Sequence, residues 1–252
     1  MAGHSKRHNI KHKKAITDAK KSKIYAKIAK LIEIAAAKGA DPLMNPSLAT
    51  VLIKAKYSSL PKEVIEKAIK KWSGQTNAEQ YSELFYEGYG PSGTALYIKC
   101  LTTNVNRSAS AIRSLLTKAG GQMSDPGTVA RQFRQEGAVT ITGVDQTILS
   151  KGKTIVSIVS FNPETLEEYL LGLSVLDYTL DGDVCTITTT REDLIAVTQS
   201  LESAFYHIEE SDLIYRSDMC IELDEKDYEQ FERIIELLED DDDVEAVYHN
   251  VA

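Results

Sequence analysis

Thr94-Ala95-Leu96-Tyr97-Ile98-Lys99-Cys100-Leu101 reads as a strand, and the segments downstream of it decide the fold. Residues 106–119 have helical spacing, with Ile112, Leu115 and Leu116 on one side, and residues 128–133 read as a strand returning to the same sheet. The pattern then repeats. Residues 138–142 and 153–161 are strand-like, 163–172 helical, and 175–180 faces 184–190 across Asp181-Gly182-Asp183, a hairpin signal. A helix over 191–206, a strand over 213–223, a helix over 225–239 and a short strand over 244–248 complete the chain. Repeated strand–helix–strand units mixed with an antiparallel hairpin predict an α+β protein with ferredoxin-like sheets, each covered on one face by helices.

Upstream of these strands the period changes from two to 3.6. Ile24, Ile28, Leu31, Ile32 and Ala35 form one apolar face of a helix expected to stop near Lys38, since Gly39 can close it and Asp41-Pro42 cannot easily continue it. Asn45-Pro46 is a helix start, with Leu48, Val51, Leu52 and Ala55 as its stripe. Pro61 opens a third helix carrying Val64, Ile65, Ala68, Ile69 and Trp72, with Gly74 past its end. Three amphipathic helices can share a small core, and the polar residues 73–81 read as a linker.

The charge is distributed as unevenly as the structure. Residues 1–30 hold ten Lys/Arg (Lys6, Arg7, Lys11, Lys13, Lys14, Lys20, Lys21, Lys23, Lys27, Lys30) and one acid, Asp18, in a protein of net charge −8. Lys20, Lys23, Lys27 and Lys30 recur at i, i+3, i+7 and i+10, a basic stripe beside the apolar face of the first helix. A merely solvated helix would interleave acids for i, i+4 pairing, and this stripe has almost none. Such a surface points to a polyanion, because each phosphate it neutralises releases condensed counterions. Three of the five histidines, His4, His8 and His12, fall in the same segment. Their spacing could ligate a metal on a helix, but the surrounding cations oppose a dication, so His12 is grouped with the phosphate contacts instead.

Several stretches bear a family likeness. Ala2-Gly3-His4-Ser5-Lys6, Asn9-Ile10-Lys11-His12-Lys13-Lys14, Asp18 to Tyr25, Tyr86-Glu87-Gly88-Tyr89-Gly90-Pro91, Asn104 to Arg107, Leu238-Glu239-Asp240 and Val247-Tyr248-His249-Asn250 resemble, in order, the YebC family of bacterial proteins and its mitochondrial translational-activator branch. The likeness spans nearly the whole chain. Arg7 stands where the family usually has Trp, and Ser92 where it usually has Gly. The first difference adds charge and removes a ring that could stack on a base. The resemblance implies three domains: a basic helical module over 1–80, a discontinuous α+β domain from 81–135 with 209–252, and an α+β domain inserted at 136–208. It also implies a role in gene expression, either as a DNA-binding transcriptional regulator or in translation at ribosomes stalled on proline-rich stretches.

Length and composition restrict the alternatives. A chain of 252 residues with 42% hydrophobic content can fill two or three cores. No apolar run approaches the roughly 18 residues of a membrane span, and no apolar stretch follows the N-terminal charges, so neither a membrane protein nor a cleavable leader is expected. Cys100, Cys185 and Cys220 are an odd number with no C-x-x-C pair, which argues against a disulfide framework and a cysteine zinc site and for a reducing cytoplasm.

The remaining motifs resolve into structure more readily than chemistry. Gly88-Tyr89-Gly90-Pro91-Ser92-Gly93 satisfies G-x-G-x-x-G literally, but a strand follows it instead of a helix and Pro91 lacks an N–H, so it reads as a tight turn entering the sheet. Asn104-Val105-Asn106-Arg107 combines a helix cap with one guanidinium, which makes Arg107 a second phosphate candidate beside the alternative of a surface pair. Glu239-Asp240-Asp241-Asp242-Asp243 lacks the spacing of a calcium loop. It is expected to end its helix, and either to hold the basic module within the chain or to face a basic protein partner.

No nucleophile has a partner in the sequence, so the chain reads as a non-enzyme without cofactors. The reading is a cytoplasmic nucleic-acid-binding regulator of gene expression. Lys6, Arg7, Lys11, His12, Lys13, Lys14, Lys20, Lys21, Lys23, Lys27, Lys30 and Arg107 would contact rRNA or tRNA, with duplex DNA as the alternative target. There is no zinc finger, RNP-type aromatic pair or clear helix-turn-helix to choose between them. A lysine-rich arm suits crowded rRNA or tRNA phosphates, which favours a ribosome-associated role. Two other classes are a protein-interaction scaffold built on the acidic body and a metal-dependent hydrolase using the acidic run.

Overall fold

The computed structural model describes residues 18–72, 81–150 and 153–252, and the protein is α+β, with two sheets and the helices that cover them. Three helices come first: α1 (Asp18–Ala36), α2 (Pro46–Tyr57) and α3 (Lys62–Trp72). Leu31, Ile32, Ala35 and Ala36 of α1, Leu48 and Ala55 of α2, and Ala68 of α3 are buried, as the 3.6-residue period requires. The turn after α1 is closed by Gly39, whose φ of +147° suits glycine, and by N–H groups of Lys38 and Gly39 donating to Ala35 and Ala36.

Asn45 does more than cap α2. Its Oδ1 accepts from Leu48 N (3.2 Å), while its buried Nδ2 donates to the carbonyls of Ala35 and Gly39, each at 2.7 Å. One side chain therefore satisfies the end of α1 and the start of α2. Aspartate serves as well as asparagine at an ordinary N-cap, but here it would set carboxylate oxygens against two carbonyls. Asn45→Asp is expected to destabilise by about 2 kcal/mol or more, and at least as much as Asn45→Ala, measured by urea unfolding.

The chain divides into two compact units. The first contains the described residues of Met1–Lys30 and Gly74–Arg134 together with Tyr215–Ala252; the second contains Leu31–Ser73 and Gln135–Ile214. In the first, β1 (Ser82–Tyr89), β2 (Ala95–Thr102), β3 (Gln122–Met123) and β9 (Val244–His249) form a sheet in the order β3-β1-β2-β9. Every pairing is antiparallel, so β2 and β3 run the same way with β1 between them, joined by α4 (Val105–Lys118) as a split β-α-β unit. Leu96, Ile98 and Cys100 alternate inward and are covered by Ile112 and Leu116 of α4 and by Phe231, Ile234 and Leu238 of α7 (Glu225–Glu239).

The glycine-rich motif is a turn between β1 and β2. Pro91–Gly93 make one 3₁₀ turn, and Gly90 N donates to Thr94 O at 2.8 Å. Ser92 adopts φ +50°, the left-handed region that glycine occupies at little cost, and its hydroxyl bonds the Asp227 carboxylate.

Residues 128–133 are not the returning strand the sequence suggests. That strand is β3, two residues long, and the chain then turns through the 3₁₀ segment Ala130–Gln132. The cause is Glu87 on β1. Its buried carboxylate accepts from Gly127 N (2.7 Å), Val129 N (2.5 Å) and Ala130 N (2.9 Å), so these amides are unavailable for a ladder. Burial opposes ionisation of Glu87, but the converging amides outweigh it and hold the carboxyl below its ordinary value.

The second unit contains a five-stranded sheet. β4 (Phe133–Ser150) pairs with β5 (Lys153–Val159), β7 (Val184–Thr189) and β8 (Tyr206–Ser217), and β6 (Asp177–Asp181) lies outside β7. The hairpin falls where Asp181-Gly182-Asp183 places it, with Asp181 opposite Val184 and Gly182 at φ +60°. Val139, Ile141 and Ile187 of the sheet pack with Leu166 and Leu170 of α5 (Pro163–Leu170) and with Val197 and Leu201 of α6 (Leu194–Ser203). Several expected boundaries shift, and β4 is far longer than the strand expected over 138–142. α6 stops at Ser203, before Phe205 at φ +64°, and β8 begins at Tyr206, earlier than the strand expected over 213–223. Helix α2 belongs to this unit: Lys54 pairs with Asp212 at 2.6 Å, Lys56 and Tyr57 both bond Glu202, and the Tyr57 ring packs on the core.

Candidate nucleic-acid interface

The basic stripe meets the acidic run. Helix α1 is continuous through Lys20, Lys23, Lys27 and Lys30, as the spacing predicts. Lys23 bonds the Asp240 carboxylate and lies 3.4 Å from its carbonyl oxygen. Lys27 donates to the Glu239 carbonyl at 2.9 Å, satisfying one of the carbonyls that the last turn of α7 leaves without a helical partner. Lys30 bonds the Leu101 carbonyl and stands 3.6 Å from Asp243.

Arg107 joins the same group from α4. Asn104 Oδ1 accepts from Arg107 N at 3.0 Å, the expected cap, and the guanidinium reaches both Asp243 oxygens at 3.0 and 3.3 Å. Asp243 also accepts from Thr102 Oγ1 at 2.9 Å, and its own N–H donates to Asp241. Four of the predicted phosphate contacts, Lys23, Lys27, Lys30 and Arg107, thus converge on the acids that follow α7. Lys20 and Lys21 lie on α1. Lys6, Arg7, Lys11, His12, Lys13 and Lys14 fall outside the described residues, as do His4 and His8.

The group is graded in depth. The Lys30 and Asp243 side chains are 17% and 13% exposed, whereas those of Lys23 and Asp240 are 44% and 74% exposed. The outer pair is screened by water, while each member of the inner pair has a second partner, Asp243 with Arg107 and Thr102 and Lys30 with the Leu101 carbonyl. The side-chain bond to Asp240 raises the Lys23 ammonium above its ordinary value. Burial lowers Lys27, against the opposing pull of Glu239, Asp241 and Asp242.

Aromatic side chains occupy the sheet face opposite Leu96 and Ile98, a feature too dispersed in the sequence to be read there. Phe85 stacks on Tyr97 (centroids 4.6 Å, planes 12° apart), Tyr97 on Phe133 (5.6 Å, 19°), and Tyr215 stands edge-on to Phe85, Tyr97 and Tyr248. All five rings are half-buried, and Tyr97 is stacked with both Phe85 and Phe133, so the cluster is held together by its own ring contacts. Burial pushes the Cys100 and Cys185 thiols up to about 12, which leaves neither as a nucleophile near neutral pH. Among the described residues no three His, Cys, Asp or Glu side chains are placed to hold a metal ion, and no helix is long and apolar enough to cross a membrane.

Comparison with known proteins agrees with this architecture. A crystal structure of a conserved hypothetical protein, Aq1575 from Aquifex aeolicus, superposes with a TM-score of 0.81 at 30% identity, covering 94% of this chain and 93% of that one. A Clostridium botulinum protein named as a probable transcriptional regulatory protein is 38% identical over 252 residues, 99% of this chain and 96% of its own length. A Streptomyces avermitilis protein of the same name is 39% identical over 257 residues, covering 99% and 95%. Residues 5–75 match the family model of the TACO1/YebC protein N-terminal domain, and residues 81–251 that of the TACO1/YebC second and third domain; the chain belongs to the TACO1/YebC family.

Proposed function

We propose that this protein is a cytoplasmic nucleic-acid-binding regulator of gene expression that acts at the ribosome and its RNAs through the basic N-terminal segment, without catalysing a reaction. The observation that carries the reading is the placement of ten cations and a single acid in residues 1–30 of a chain whose net charge is −8. An acidic body repels a phosphate backbone at long range, so binding is centred on that segment, with Arg107 as a cation close to it. Without a base-reading motif, affinity comes from counterion release and is indifferent to sequence, which suits a target recognised by shape.

A second reading, duplex DNA, is favoured by the names of the relatives, which are called probable transcriptional regulatory proteins. A competition experiment separates the two. Labelled protein is offered purified ribosomes, tRNA and promoter-containing duplex at low and high salt, beside a variant lacking residues 1–30. Ribosome or tRNA binding that outlasts duplex binding at high salt and disappears with the segment is the expected result. Preference for particular duplex fragments would favour transcriptional control, and binding unchanged by the deletion would overturn both readings.

A further inference from the structure

We propose that Lys23, Lys27 and Arg107 form one composite phosphate-binding site that the chain's own acidic run, Glu239 to Asp243, occupies until a nucleic acid backbone displaces it. This rests on the nucleic-acid reading above and adds how that site is regulated.

The contacts resemble those a phosphodiester would make. Two lysines one turn apart on α1 and a guanidinium from α4 point at oxygen atoms supplied by three residues of one short run: the Asp240 carboxylate, the Asp240 and Glu239 carbonyls, and both oxygens of Asp243. One guanidinium nitrogen, Nη2, reaches both oxygens of the Asp243 carboxylate, a charge-assisted contact that an anionic phosphate oxygen could equally accept. The run stands at the C-terminal end of α7, where the helix dipole disfavours acids, so the cations of α1 offset a local electrostatic cost.

Depth determines which part yields. Lys30 and Asp243 are largely enclosed, and Asp243 is further held by Thr102, so this inner pair stays and acts as the anchor. Asp240 and Lys23 are solvated, so their contact yields to phosphate with little loss, and the Arg107 side chain, 60% exposed, can turn from Asp243 to phosphate while Asp243 keeps Lys30 and Thr102. Tethering places the acids at millimolar effective concentration, enough to exclude weak polyanions and too little to exclude a tight one. Such a site discriminates by affinity: a short or weakly charged anion does not open it, whereas a continuous backbone already held by the upstream cations does.

Exchange also alters the salt response. Cations already neutralised by carboxylates release fewer counterions when phosphate replaces them, so intact protein should bind with a shallower salt slope than one whose acids are removed.

The test uses the full chain, the variant Asp240→Asn/Asp242→Asn, and Glu164→Gln/Glu168→Gln, which removes the same charge from exposed positions on α5. Affinity for labelled poly(U) RNA is measured across salt concentrations, and the Lys23–Asp240 contact is read by carbodiimide cross-linking and peptide mass spectrometry. The expected results are about fivefold tighter binding and a steeper salt slope for the first variant, less than about twofold change for the control, and a Lys23–Asp240 cross-link in free protein that poly(U) suppresses. Poly(U) binding that leaves the cross-link intact, or equal affinities for the two variants, would overturn the self-occupied site and leave the nucleic-acid reading standing. No poly(U) binding by any of the three proteins would remove both.

Discussion

Replacing Lys6, Arg7, Lys11, Lys13 and Lys14 by glutamine is expected to lower affinity for ribosomal RNA or poly(U) by about a hundredfold at about 0.1 M salt. The five residues carry half of the positive charge in residues 1–30, and the run from Lys6 to Lys14 contains no acid. Each cation that contacts a single-stranded phosphate adds about 0.7 to the slope of log affinity against log salt, so the variant's slope should fall by roughly 3. The double readout matters, because loss of affinity with an unchanged slope would mean damage to the fold. Equal loss on every RNA tested identifies backbone contacts, whereas loss confined to one sequence would point to base recognition and contradict the mechanism. Arg7→Trp, which restores the residue usual in the family, separates charge from stacking: a slope reduced by about 0.7 with affinity held or improved would assign that position to a base.

Glu87→Ala is expected to destabilise the protein by about 3 kcal/mol, because it leaves three amides of the 127–130 turn without their acceptor at a site where water has little access. Glu87→Gln keeps one oxygen acceptor but adds two donors where only donors already stand, so an intermediate loss is expected. The pH dependence follows from the direction of the shift. The folded-state pKa of Glu87 lies below its ordinary value of 4.5, so its contribution is complete above that value and disappears as pH falls through the folded-state pKa. Urea midpoints measured from neutral pH down to about pH 3 should therefore decline more steeply for the natural protein than for Glu87→Gln. Parallel curves would show that the carboxylate's charge contributes nothing and that only its shape matters.

Local signals are legible where local chemistry determines structure. Asn45-Pro46, the Asp181-Gly182-Asp183 hairpin and the stop after Glu239 are each encoded within a few residues and lie where the sequence puts them. The 128–133 segment reads wrongly as a strand because its conformation depends on a carboxylate some forty residues earlier in sequence. Similarly, the sequence offers pairing of the basic module with the acidic run as one of two alternatives, but nothing around Lys23 or Asp240 indicates that these two residues meet. Charge patterning identifies the basic stripe and the acidic run as features, and their pairing needs the path of α1 past the end of α7. The aromatic cluster is illegible for the same reason, since its rings come from β1, β2, β4, β8 and β9. The resemblance of the N-terminal motifs supplies the family, while the residues alone carry no base-reading motif and favour RNA over DNA only through the lysine-rich arm.

The order of strands in the first sheet bears on how the protein is made. β2, with Leu96, Ile98 and Cys100 on its buried side, pairs with β1 at once, but its other edge is completed only by β9 at the end of the chain. Throughout synthesis of residues 103–243 that edge offers unpaired amides, beside an apolar face that lacks α7 until residue 239 is made, while the strands and helices of 135–214 can emerge together and close on themselves. A ribosome that terminates between Ile214 and Val244 therefore releases a chain with one finished unit and one adhesive edge. Truncated chains should depend on chaperones far more than their length alone would suggest.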